Sequence, residues 1–194
     1  MSVQSSDAAR SVRIAKYYFT VAQYERMAEV GVLSPDCRVE LIEGEIVKMS
    51  PIGKRHAACV NRLNRLLGQA LGTAAIVSVQ NPIRLDDYSE PQPDVALLKP
   101  RADFYEQALP APADVLLVIE VCDTTLEYDR QIKLPLYARA GLPEVWLVNL
   151  ADEQIETYAH PAADAYQTNA RHQRGADVQA HTIAGLHPAA ADIF

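Results

Sequence analysis

The chain has 194 residues, 49% of them apolar, and a formal net charge of -7. That suffices for one domain with a real core, and no stretch nears the roughly 18 consecutive apolar residues of a membrane span. The acidic balance excludes a protein that coats nucleic acid indiscriminately. The three cysteines, Cys37, Cys59 and Cys122, lack paired metal-ligand spacing and point to a reducing cytoplasm rather than a disulfide scaffold.

From Met1 to Lys16 there is no apolar stretch of signal-peptide length, and residues 1–19 read as a flexible tail ahead of a single domain over 20–194. Thr20 is placed to N-cap a helix running to about Glu29 and stopped by Gly31. Arg38 to Ile42 and Glu45 to Met49 alternate around Glu43-Gly44 and predict a hairpin. The strongest helical pattern covers Lys54 to Leu71. Val60, Leu63, Leu67 and Leu71 share one face with His56, which reads as a packed or hydrogen-bonded histidine. Arg55, Arg62, Arg65 and Gln69 share the opposite face.

Strands are then expected over Ala74 to Val79, Ile83 to Leu85, Val95 to Leu98 and Val115 to Val121, the last apolar enough to be central. A helix over Asp129 to Ala140 follows, stopped by Gly141. Pro135 within it removes a donor and should kink or restart it. Glu144 to Leu150 and Gln154 to Ala159 form a strand pair, and Tyr166 to Ala170 reads as an edge strand. The fold class is α/β, a mixed sheet flanked by helices.

Charge along the chain is segregated. Residues Ile46 to Leu85 hold no acid and six bases, whereas Asp86 to Asp129 hold eleven acids against Lys99 and Arg101. One stretch is suited to phosphate and the other to divalent cations, although ordinary solvated charge gives the same pattern. Within the acidic stretch, Asp94 precedes the run Val95-Ala96-Leu97-Leu98, and Glu120 closes Val115-Leu116-Leu117-Val118-Ile119. A carboxylate in a buried strand is costly unless it is paired or coordinates a cation. Lys133 follows Glu120 by thirteen residues, and Tyr137 lies one turn further along the same expected helix. Two acids and an ammonium are the parts of a metal-dependent phosphodiesterase site. A turn residue, a strand end and a surface lysine are the competing reading of the same three residues. There is no GxxxxGK loop, GxGxxG, nucleophile elbow or HExxH.

The run from Glu120 through Cys122-Asp123-Thr124-Thr125-Leu126, Tyr128-Asp129-Arg130 and Lys133 to Gly141, with Glu144-Val145-Trp146, resembles the Uma-type restriction endonuclease family, itself similar to the PD-(D/E)xK nucleases. The likeness continues upstream through Glu90-Pro91-Gln92-Pro93-Asp94 and Val39 to Glu45. It implies a restriction-endonuclease-like core and a DNA endonuclease using Mg²⁺ or Mn²⁺ held by Asp94 and Glu120. The carbonyl of Val121 is expected to add a further ligand, and Glu40, at an acidic position of the family's first hairpin, reads either as a water-mediated ligand or as an exposed strand residue. The simplest superfamily motif has lysine two residues after the glutamate. Here Cys122 stands there, and the family pattern implies that Lys133 takes over the orientation of the attacking water. Arg55, Arg62 and Arg65 are the candidate contacts to the DNA backbone. No organic cofactor or membrane is expected. The alternatives are a catalytically silent nucleic-acid-binding domain, or a protein-interaction domain on the same fold, for example a homodimer.

Overall fold

The computed structural model describes residues 15–34 and 36–194. Most of the segment expected to be a tail therefore lies outside the described residues. Helix α1 (Val21–Glu29) opens with a capping box in which Thr20 and Gln23 satisfy each other's backbone N–H, and Gly31 follows its end at φ 77°. The hairpin β1 (Val39–Ile42) and β2 (Glu45–Lys48) turns at Glu43-Gly44, both with positive φ. A Cβ on Gly44 would stand 2.6 Å from that of Tyr18, so the close approach of the chain also requires glycine there.

Helix α2 (Lys54–Leu71) has the expected bounds. Six further strands form one sheet: β3 (Ile76–Val79), β4 (Val95–Leu98), β5 (Val115–Cys122), β6 (Glu144–Asn149), β7 (Gln154–Ala162) and β8 (Ala165–Gln173). They lie side by side in chain order, antiparallel except for the parallel β5–β6 pair. A parallel pair needs a crossover, and the helical segment between β5 and β6 supplies it. Among the described residues, no helix is long and apolar enough to cross a membrane.

The sheet is covered on both faces. Leu97, Leu117, Ile119, Val121, Trp146 and Val148 pack under α2 and under the C-terminal segment ending in helix α5 (Ala190–Ile193). The alternate residues Val118, Cys122, Val145 and Leu147 pack under the crossover residues Leu136, Tyr137 and Ala138. Glu120, between Val118 and Cys122, therefore points toward the crossover.

Two expected elements differ. Residues Ile83 to Leu85 are not a strand: their N–H groups donate to Pro91, Pro110 and Ser89 carbonyls in loops, and burial of Ile83 and Leu85 accounts for the alternation. The crossover helix is not continuous. It runs as α3 (Leu126–Tyr128), a π-turn over Asp129–Lys133, and α4 (Leu134–Arg139). Leu134 donates to the carbonyl of Asp129, five residues back. The widened turn lets the chain accommodate Pro135, which lacks a donor and would crowd the carbonyl four residues earlier in a regular helix. In β7, Pro161 is tolerated because it lies beyond Ala159, the last residue paired with β6.

Candidate metal centre

The register of the central strands assembles the site. Pairing of Val95 with Ile119 puts Asp94, one residue before β4, opposite Glu120 near the end of β5. The backbone N–H of Asp94 lies 3.4 Å from Glu120 Oε2. Both residues border a pocket of about 390 Å³ whose other walls come from the β1–β2 hairpin, the start of α2 and the crossover.

On the crossover side, Lys133 and Tyr137 both reach Glu120 Oε1, the lysine at 3.1 Å. Lys133 Nζ is also 3.1 Å from Glu40 Oε2, and all three charged side chains are buried. Burial works against the Lys133 charge, but Glu120, Glu40 and Asp129 outweigh it and hold the ammonium protonated. Burial raises the Glu120 carboxyl, and the Lys133 ammonium pulls it back. Asp129 and Lys133, the first and last residues of the π-turn, are both buried.

On the opposite side, Asp94 Oδ2 accepts from the Val121 N–H at 2.9 Å and lies 3.0 Å from His56 Nε2. Its Oδ1 takes a longer contact of 3.3 Å from Gln80 Nε2. Glu40 is steadied by the Gln92 N–H at 3.2 Å. The pocket lining holds five carboxylates, Glu40, Asp94, Glu120, Asp123 and Asp129, against the cations Arg38, Lys48 and Lys133. That excess of negative charge favours a cation.

Oxygen donors of this kind suit a hard divalent ion such as Mg²⁺, which takes one or two carboxylates and keeps several waters. Among the described residues, no three of His, Cys, Asp and Glu are gathered into a ready cage. The acids nearest one another are the pair Asp94 and Glu120, with Glu40 on the far side of the Lys133 ammonium.

Asp94, Glu120, Lys133, Glu40 and Val121 thus meet around one pocket. The three arginines do not. Arg55 donates to the Leu150 carbonyl and stands 4.0 Å from Asp123, Arg62 donates to the Ile193 carbonyl at 3.0 Å, and Arg65 is exposed. Cys122 is buried in the core, and burial together with Asp129 pushes its thiol pKa far up. The sequence reading passed over Asp129, although its spacing of four from Lys133 and eight from Tyr137 marks one helical face. Gln92 stands in the run that carries the family resemblance but has no role in that reading, and nothing in the local pattern distinguishes Gln80.

A mixed six-stranded sheet with helices on both faces and acids where two central strands meet defines a restriction-endonuclease-like fold. It superposes on a crystal structure described as a putative nuclease belonging to DUF820 from Anabaena variabilis, with a TM-score of 0.69 and 15% identity. The match covers 91% of this chain and 97% of that one. Residues 21–191 match the Uma2 family, described as "Putative restriction endonuclease", and the chain belongs to that family. Among curated proteins, none matches this sequence.

Proposed function

We propose that the protein is a DNA endonuclease dependent on Mg²⁺ or Mn²⁺, with Asp94 and Glu120 as metal ligands. The observation that carries this reading is the strand register that sets Asp94 opposite Glu120, with the Lys133 ammonium 3.1 Å from the Glu120 carboxylate in the same pocket. Family membership supports a nucleic-acid substrate. A divalent ion held there supplies Lewis-acid polarisation of the scissile phosphate and lowers the pKa of a water.

The chain's own residues do the rest. An ammonium has three donors, and Glu40 and Glu120 take two from Lys133. The third remains to hold the attacking water and to stabilise charge developing on the phosphate. Tyr137 fixes Glu120 Oε1, so the carboxylate presents Oε2 toward Asp94. Glu40 contributes through water, and the Val121 carbonyl is a further ligand. Arg38 and Lys48 line the same pocket, and Arg55, Arg62 and Arg65 extend the basic surface along α2, with Arg65 the best placed to meet a DNA phosphate. Residues 20–194 act as one domain, in the cytoplasm.

One observation favours a silent nucleic-acid-binding domain instead: Lys133 is already ion-paired with both Glu40 and Glu120, so part of the site's negative charge is balanced without an added cation. Cleavage of plasmid and oligonucleotide DNA with Mg²⁺ or Mn²⁺, alongside calorimetric titration of the metal, separates the two. The expected result is metal-dependent cleavage, with both cleavage and metal binding lost in folded Asp94→Ala, Glu120→Ala protein. Equal metal affinity in that double variant would remove the assignment.

A further inference from the structure

We propose that His56 is a positioning residue that makes Asp94 a one-oxygen ligand and thereby sets the preference of the site for Mg²⁺ over Ca²⁺. The inference rests on the metal-site reading above. His56 lies in the first turn of α2 on the stripe continued by Val60, Leu63, Leu67 and Leu71, all buried in the core. The imidazole is therefore anchored by an 18-residue helix packed on the sheet rather than by a loop. Its Nε2 is 3.0 Å from Asp94 Oδ2, the oxygen that also accepts the Val121 N–H. Two donors fixed to a helix and a strand thus commit Oδ2. Among the described residues, Oδ1 has only the longer 3.3 Å contact from the Gln80 side-chain amide.

The other ring nitrogen sharpens the point. His56 Nδ1 is buried with no hydrogen-bond partner among the described residues. A position serving packing alone is better filled by an aliphatic residue, as at Val60 and Leu63 one and two turns on. What the imidazole adds is its bond to Asp94. Mg²⁺ demands near-octahedral geometry with short single-oxygen bonds, whereas Ca²⁺ accepts bidentate carboxylates and higher coordination. Holding Oδ2 out of coordination favours the smaller ion. Second-shell partners of metal ligands are worth about 10–100-fold in affinity.

The test is calorimetric titration of the whole chain with Mg²⁺, Mn²⁺ and Ca²⁺ separately, for wild type, His56→Leu and His56→Gln, with thermal unfolding of each. His56→Leu is expected to unfold at or above the wild-type temperature and to bind Mn²⁺ roughly 10–100-fold more weakly. Its Ca²⁺ affinity should fall less, so the ratio of Mg²⁺ to Ca²⁺ affinity drops. His56→Gln, which restores a donor of similar reach, should recover much of that ratio. Wild-type Mn²⁺ affinity and an unchanged ratio in His56→Leu would overturn the proposal. So would failure of His56→Leu to fold, which would make the ring a structural element. Absence of divalent binding to the wild-type chain would instead remove the metal centre itself.

Discussion

Glu120 and Glu144 stand on neighbouring parallel strands, both fully or almost fully buried, and their surroundings differ in kind. Glu144, 0% exposed, accepts from the Trp146 indole N–H, the backbone N–H groups of His181 and Thr182, and the Thr182 hydroxyl. None of these donors borders the pocket, and together they staple the C-terminal segment to the sheet. Glu120 is held by an ammonium and a phenol, faces a cavity, and has Asp94 opposite. Burial of a carboxylate is thus common to a staple and to a site. What separates them is whether the partners are fixed donors or exchangeable charges beside open space.

The comparison breaks most visibly on truncation. Glu144→Ala leaves four donors without their acceptor and should cost about 4 kcal/mol, lowering the melting temperature by roughly 10 °C. Glu120→Gln keeps an acceptor for Tyr137 and leaves Lys133 with Glu40, so its stability should change by less than about 2 kcal/mol. Its divalent-metal binding should be lost. Denaturant melts of the two variants decide this; equal destabilisation would mean that Glu120, too, is a staple.

Lys133→Ala probes the exchangeable charge. Removing the ammonium leaves Glu40 and Glu120 buried together, a loss of about 3 kcal/mol by the usual cost of breaking a buried pair. Cleavage should disappear while metal binding strengthens, since the site loses a competing cation. Added Mn²⁺ should then raise the melting temperature more in Lys133→Ala than in wild type, because binding to the folded state stabilises it. An equal rise in both would place the ion away from Lys133, and full cleavage by the variant would end the water-orienting role.

The sequence carried the site where the information was local. The hairpin, α2 and the runs flanking Asp94 and Glu120 show their periods directly, and an antiparallel register then leaves little freedom in where the two acids meet. Glu144 opens an apolar run much as Asp94 does, yet three of its four donors lie 37 and 38 residues away, so no local pattern marks it as a staple. The π-turn was hidden for a related reason. Pro135 announces an irregularity, but whether the chain kinks, restarts or widens depends on packing Leu136 and Tyr137 against the sheet while Lys133 reaches Glu120. Ile83 to Leu85 misled because burial alternates there without a neighbouring strand to pair.

Glu90 extends the comparison to a third case, an acid that is 7% exposed and whose Oε2 has no hydrogen-bond partner among the described residues. Its neighbours are Glu25, which disfavours its charge, and Arg84, which only partly offsets this. Burial is the main cause pushing its pKa from the ordinary 4.5 up to about 7. Between those two values the folded state binds more protons than the unfolded state, so this residue's effect on stability worsens as pH rises through the window. Below about pH 4.5 both states are protonated and the contribution vanishes; above about pH 7 the full cost of the buried charge applies. Glu90→Gln keeps the shape without the charge. It should match wild type near pH 4 and gain about 3 kcal/mol by pH 8. Urea melts of the pair across that range measure the difference directly, which cancels the titration of groups common to both. A gain already complete at pH 4 would assign the effect to packing. No gain at pH 8 would mean that a partner reaches the carboxylate in solution, making Glu90 a small staple like Glu144.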